Sequence, residues 1–136
     1  MRTLANLLWV VLVGWWLAIF YVVAGAIVCL FIVTIPFGLQ AFKLAAFTAW
    51  PFGRVAVPRL DADPGVDAVG NLLWLIVGVP LALAHLVAGV VLCLSVIGIP
   101  LGLACFKLLP LCLMPFGKEI VPTYTLPPGT SSYDFL

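Results

Sequence analysis

Charge is what this chain has least of. Of its 136 residues only 8% are Asp, Glu, Lys or Arg, against 65% hydrophobic, and the mean hydropathy is +1.31. A soluble domain carries about 25% charged residues, so this chain cannot cover a water-facing surface. Residues 3–42 hold no charged side chain, and neither do residues 68–106 with His85 neutral. Each run exceeds the ~20 residues a helix needs to cross a bilayer core, which makes the chain an integral membrane protein whose first partner is lipid. A net charge of +1 argues against a nucleic-acid partner. Acids are equally sparse: Asp61, Asp63, Asp67, Glu119 and Asp134 all fall in polar connecting segments. No apolar run contains a carboxylate for cation coupling, no hydrolytic constellation is visible, and the spacing of the aspartates does not make a calcium loop. The four cysteines (Cys29, Cys93, Cys105, Cys112) contain no CxxC pair, so zinc and thioredoxin-like chemistry lack support; buried cysteine packs as a small apolar residue. No catalytic residue, cofactor or metal is predicted, and the ligand class is left open.

What the chain does have is a repeat. A shift of 64 positions aligns 14–58 with 78–122, and 20 of those 45 pairs are identical. They include Pro36/Pro100, Gly38/Gly102, Lys43/Lys107, Pro51/Pro115 and Pro58/Pro122. A second block, Asn6-Leu7-Leu8-Trp9, recurs as Asn71-Leu72-Leu73-Trp74 at an offset of 65, so one residue separates the two registers. Apolar bias alone matches leucines and valines, not Pro, Gly, Lys, Asn and Trp in one order. The expected fold class is therefore all-α integral membrane: two tandem helical hairpins, parallel repeats, each with a long spanning arm and a shorter arm that either crosses or re-enters. The expected divisions are 1–58 for the first repeat, 59–70 for a polar linker, 71–122 for the second repeat and 123–136 for a flexible tail.

Residues 4–35, the first long arm, would measure about 48 Å as one helix, well over the ~30 Å hydrocarbon core. Gly14 is the candidate break, with Gly78-Val79-Pro80 in the second copy; Pro80 removes a helical hydrogen bond. Met1-Arg2-Thr3 ahead of so long an apolar run reads as the start of a retained span rather than a cleaved leader. Gly14, Ala18, Gly25 and Cys29 fall on one helix face, and Gly78, Ala82, Gly89 and Cys93 repeat the stripe. Small residues let helices approach closely in lipid, so this stripe is expected to pack repeat against repeat or subunit against subunit, in a homo-oligomer. Pro36 with Gly38, and Pro100 with Gly102, are expected to form the turns. The short arms, 38–50 and 102–114, then rise only about 20 Å.

If each copy goes in and returns, Arg2, Arg54, Arg59 and Lys118 share one face, and the positive-inside rule places both termini in the cytoplasm. Lys43 and Lys107 are the candidate lipid or ion contacts: an intramembrane lysine either serves function or snorkels to the headgroups. His85, whose counterpart is Tyr21, is either a proton relay or a packing residue bonded to a carbonyl.

Asn71-Leu72-Leu73-Trp74, His85, Gly89, Cys93, Ile97-Gly98-Ile99-Pro100-Leu101-Gly102, Phe106-Lys107 and Pro115-Phe116-Gly117-Lys118, with Gly14-Trp15-Trp16-Leu17 and Trp50-Pro51-Phe52-Gly53-Arg54 in the first copy, resemble the YccF family of small bacterial inner-membrane proteins. The second copy departs from that pattern at Val79-Pro80. The resemblance implies residence in the bacterial inner (plasma) membrane and a tandem domain, and supplies no substrate. The expected role is structural or interactive rather than enzymatic; the alternative is a small oligomeric channel or transporter for anions, using Lys43 and Lys107.

Overall fold

The computed structural model describes residues 1–128. The chain is mostly helical, as two packed hairpins joined at one end by a small ribbon. The first long arm is α1 (Arg2–Trp9), a π-helical turn (Val10–Gly14) and α2 (Trp15–Val28), returning through a 3-10 turn (Ile32–Thr34) as α3 (Ile35–Ala49). Strand β1 (Arg54–Pro58) follows. The second copy is α4 (Pro64–Cys93), α5 (Ile99–Leu113) and β2 (Lys118–Pro122), ending in a 3-10 turn over Thr123–Thr125. Arg2–Val28, Ile32–Ala49 and Pro64–Cys93 are long and apolar enough to cross a membrane; Ile99–Leu113 is shorter.

Local chemistry accounts for the boundaries. Asp63 caps α4 by accepting from the amides of Gly65 at 2.9 Å and Val66 at 3.1 Å, and Asp67 adds an acid to the first turn, where free amides and the helix dipole favour negative charge. Helix α4 thus begins inside the segment read as linker. Gly53 and Gly117 adopt φ of +88° and +75°, a conformation glycine reaches without penalty, and they bend the chain from each short arm into its strand. Residues 129–136 of the expected tail lie outside the described residues.

The turns sit earlier than the prolines suggested. Pro36 and Pro100 are the second residues of α3 and α5, where a missing N–H costs nothing and the fixed φ suits a helix start. The chain reverses over residues 29–34 and 94–98 instead. Thr34 Oγ1 donates to the carbonyls of Val28 and Phe31, Ser95 Oγ donates to Leu92 O at 3.2 Å, and Gly98 N donates to Ser95 Oγ at 3.0 Å. Gly38 and Gly102 are close-approach positions: a Cβ on either would overlap Cys29 Sγ or Cys93 Sγ and lie 2.9 Å or 2.8 Å from the carbonyl of Gly25 or Gly89.

The small-residue stripes are corrected in the same way. Gly25 faces Ala41 and Phe42, and Gly89 faces Cys105 and Phe106, so the stripe seats each long arm on its own short arm. It does not join repeat to repeat, and it lends no support to association between copies. The physical reason is that the short arm has only four turns in which to pack, and close approach is how helices gain contact in lipid.

Neither expected break interrupts its helix. Pro80 lies inside the continuous α4, as Pro110 does inside α5. Near Gly14 the helix widens by one residue into the π turn, which explains the change of register between the repeats. Trp9 and Gly14 are five apart; Trp74 and Gly78 are four apart. In both copies the indole lies over the glycine, where a Cβ would come within 2.5 Å of Trp9 and 2.6 Å of Trp74. A π turn absorbs one extra residue without ending a helix, so the tryptophan keeps its seat.

The ribbon, unforeseen from the sequence, displays how the halves are related. Strands β1 and β2 pair antiparallel, with Arg54↔Pro122, Ala56↔Ile120 and Pro58↔Lys118. Ala56 and Ile120 are repeat equivalents, so the ribbon's midpoint is a local pseudo-two-fold axis. Two further bonds obey it: Arg59 N to Gly117 O and Thr123 N to Gly53 O, both 2.9 Å. Because α3 and α5 both lead into the ribbon, the two halves run in the same direction.

Candidate functional site

Every charged side chain of the described residues belongs to the ribbon end or reaches toward it, and the site is built there from three sets of bonds. The first is a clamp on the Pro-Phe-Gly turn. Asn6 Nδ2 donates to Phe52 O and Asn6 Oδ1 accepts from Phe52 N, both at 2.9 Å. Asn71 does the same to Phe116, at 3.3 Å and 2.9 Å. One turn further along, Trp9 Nε1 donates to Thr48 O at 2.6 Å and Trp74 Nε1 to Cys112 O at 2.7 Å. These carbonyls are among the last of α3 and α5, which have no partner within their own helix. The sequence marked Asn6, Trp9, Asn71 and Trp74 only as a repeated block; a polar amide three residues before an indole, on one helix face inside an apolar run, was the available signal.

The second set joins the halves. Lys43 Nζ donates to Pro115 O and Lys118 O, both at 3.0 Å, and Lys107 Nζ donates to Pro51 O at 3.4 Å and Arg54 O at 2.8 Å. Each lysine thus reaches across to the turn of the other repeat. The lysines are half-buried, and Lys107 also lies 5.8 Å from the centre of the Phe47 ring. The lysines do not turn back to headgroups beside the bends that precede them; they run toward the opposite, ribbon end, and their partners are backbone carbonyls.

The third set is deeper and apolar-walled. His85 is fully buried, with Nδ1 3.1 Å from Leu81 O and its ring 5.6 Å from that of Tyr21. Tyr21 Oη lies 2.7 Å from Cys112 Sγ, which is 3.7 Å from His85 Nδ1. Tyr21 and His85 are repeat equivalents facing each other, and the Tyr21–Cys112 contact crosses between the halves. Bonded to a carbonyl, Nδ1 carries the proton, and Nε2 is an acceptor with no partner among the described residues. His85 therefore stands apart from the two lysines, in the packed core. No group of three or more His, Cys, Asp or Glu able to hold a metal occurs among the described residues.

Comparison with known proteins agrees with this duplicated construction. A family model described as an inner membrane component domain, YccF, matches residues 4–54 and again 69–118. Inner membrane protein YccF of Escherichia coli (strain K12) and that of Shigella flexneri are each 31% identical over 134 residues, covering 92% of this chain and 90% of theirs. No solved structure matches. Both matched segments begin before the clamping Asn-Leu-Leu-Trp and reach the strand that follows the Pro-Phe-Gly turn, so each holds one complete clamp, and the chain belongs to the YccF family.

Proposed function

We propose that the protein is a non-enzymatic structural component of the bacterial inner membrane, inserted from the cytoplasmic side and presenting its ribbon end there. One observation carries the proposal: the polar side chains of the helices near the ribbon, Asn6, Trp9, Lys43, Asn71, Trp74 and Lys107, bond to the chain's own backbone, while the opposite end is bare hydrocarbon. At the hairpin tips Ile32 and Val33 are 85% and 86% exposed, and Leu94 and Val96 are 83% and 84% exposed. Their turns satisfy their own backbone through Thr34 and Ser95, as chain at membrane depth must. The short arms α3 and α5 have 15 residues each and rise about 22 Å, less than the ~30 Å core. The long arms that end at the same tips have 27 and 30 residues and rise about 40 and 45 Å. They start among the charged residues of the ribbon end, so they pass through the headgroup layer as well; the bare tips are read as ending inside the lipid. The basic side chains Arg2, Arg54, Arg59 and Lys118 then all lie on the cytoplasmic face, with both termini.

The test is thiol labelling in cells, with the native cysteines replaced. A cysteine at Ala62 reacts with a membrane-impermeant maleimide only after the cytoplasmic face is opened, and Leu30→Cys and Val96→Cys react from neither face. Labelling of the tips from the periplasm overturns the topology. The transport alternative requires an anion path that runs past Lys43 and Lys107; chloride flux in liposomes that vanishes in Lys43→Ala with Lys107→Ala would overturn the structural role.

A further inference from the structure

Beneath the ribbon lie two notches that neither the clamp nor the hairpin packing uses. One, of about 180 Å³, is bounded by Lys107 and Lys118 over Phe47, Pro110, Leu111 and Ala56. The other, of about 300 Å³, is bounded by Lys43 and Arg54 over Phe47, Ala46 and Ile120. The two are related by the pseudo-two-fold: Lys107/Lys43, Lys118/Arg54, Pro110/Ala46, Leu111/Phe47 and Ala56/Ile120 are all repeat equivalents. Each therefore has the same construction, one cation from a short arm, one from a strand, and an apolar floor. Neither lining contains an acid.

We propose that these twin notches bind the phosphate of anionic phospholipid headgroups, one lipid in each. An ammonium has three donors. Lys43 and Lys107 each use two on carbonyls, which leaves one for an incoming oxygen. Carbonyls are neutral, and among the described residues neither lysine forms an ion pair, so no contacting acid neutralises the cation that lines each notch. Of the carboxylates at this end, Asp61 pairs with Arg59 at 2.8 Å, Asp63 caps α4, Asp67 lies against Gly117 within electrostatic reach of Lys43, and Glu119 on β2 lines neither notch. The notches are also at or below the small end of the 300–1,000 Å³ typical of pockets that enclose a whole small molecule. They suit a headgroup whose acyl chains continue down the apolar floor into the bilayer. A half-buried cation is screened less than a surface one, so the attraction survives physiological salt.

The inference rests on the ribbon lying at headgroup level, and it is tested without reference to which face of the membrane that is. Full-length protein is purified from membranes, exchanged through mixed phosphatidylcholine–phosphatidylglycerol nanodiscs, released gently and weighed by native mass spectrometry. Phosphatidylglycerol should be retained in preference to phosphatidylcholine. Arg54→Gln and Lys118→Gln, whose side chains make no bond to the rest of the fold described above, should each lower that retention by about half, and together abolish it. Unchanged amide exchange in the ribbon shows that the variants are folded. Equal retention of the two lipids, or retention indifferent to the substitutions, overturns the proposal. Complete displacement by inorganic phosphate reassigns the notches to a free anion and overturns the lipid assignment. Failure here with the labelling pattern above intact would refute the notches and leave the topology standing.

Discussion

Replacing Lys43 with methionine keeps most of the side chain's length and its apolar stem but removes the ammonium that reaches Pro115 O and Lys118 O at 3.0 Å each. A hydrogen bond to a charged group contributes about 1.5–3 kcal/mol net. Two such bonds on a half-buried lysine, discounted for solvent and for partial recovery of the carbonyls by water, come to about 2–3 kcal/mol. The informative feature is where the loss appears. The acceptors belong to the other repeat, so hydrogen exchange in nanodiscs should quicken at residues 115–122, by roughly 30- to 150-fold at 1.4 kcal/mol per tenfold, while the amides around residue 43 keep their protection. Lys107→Met should do the converse, quickening 51–58. Exchange that rises around the substituted residue instead, or changes at 115–122 of less than about threefold, would refute the reciprocal clasp.

Other outcomes follow from the same contacts. Asn6→Leu leaves the buried amide and carbonyl of Phe52 unpaired and should cost about 2–4 kcal/mol, read as a lower midpoint of unfolding in detergent; Asn71→Leu, at a half-buried site, should cost less. Gly38→Val and Gly102→Val drive a side chain into Cys29 or Cys93 and a facing carbonyl, and should spread the hairpin, making those cysteines reactive to thiol reagents that leave the parent protein untouched. Deleting Val11 from the π turn should be tolerated within about 1 kcal/mol, because it gives the first copy the Trp–Gly spacing that the second already uses; loss of the fold would show that the turn does more than absorb a residue. Tyr21→Phe removes the bond to Cys112 across the halves and should cost about 1 kcal/mol, seen as a small, uniform fall in thermal stability.

The parts of this architecture that depend on neighbours in sequence were legible from the residues. Long charge-free runs, the repeated Pro, Gly, Lys and Trp positions and the arm lengths lead to two parallel hairpins in lipid. The turns were misplaced because proline carries two local meanings: it ends a helix that precedes it and starts one that follows. Pro36 does the second, and only the fit of Gly38 beneath Cys29, a contact nine residues apart, separates the two. The small-residue stripes were seen correctly as packing faces, but a stripe does not name its partner. What sequence pattern leaves dark is contact at long range: Lys43 with Pro115, Lys107 with Pro51, and β1 with a strand 64 residues on. Arg54-Val55-Ala56-Val57-Pro58 is too short and too ordinary to announce a strand, and an Asn in an apolar helix does not disclose which backbone it will hold.

The crossed lysines bear on how such a chain can come apart or together. One hairpin by itself owns both members of the joint, a cation on its short arm and a cradle of carbonyls at its Pro-Phe-Gly corner, yet it cannot bring the two into contact within itself. Two copies of a single unit facing each other would close both joints at once, as any self-complementary pair does. Covalent fusion of the units leaves the joint chemistry untouched and frees its closure from dependence on how many molecules the membrane holds.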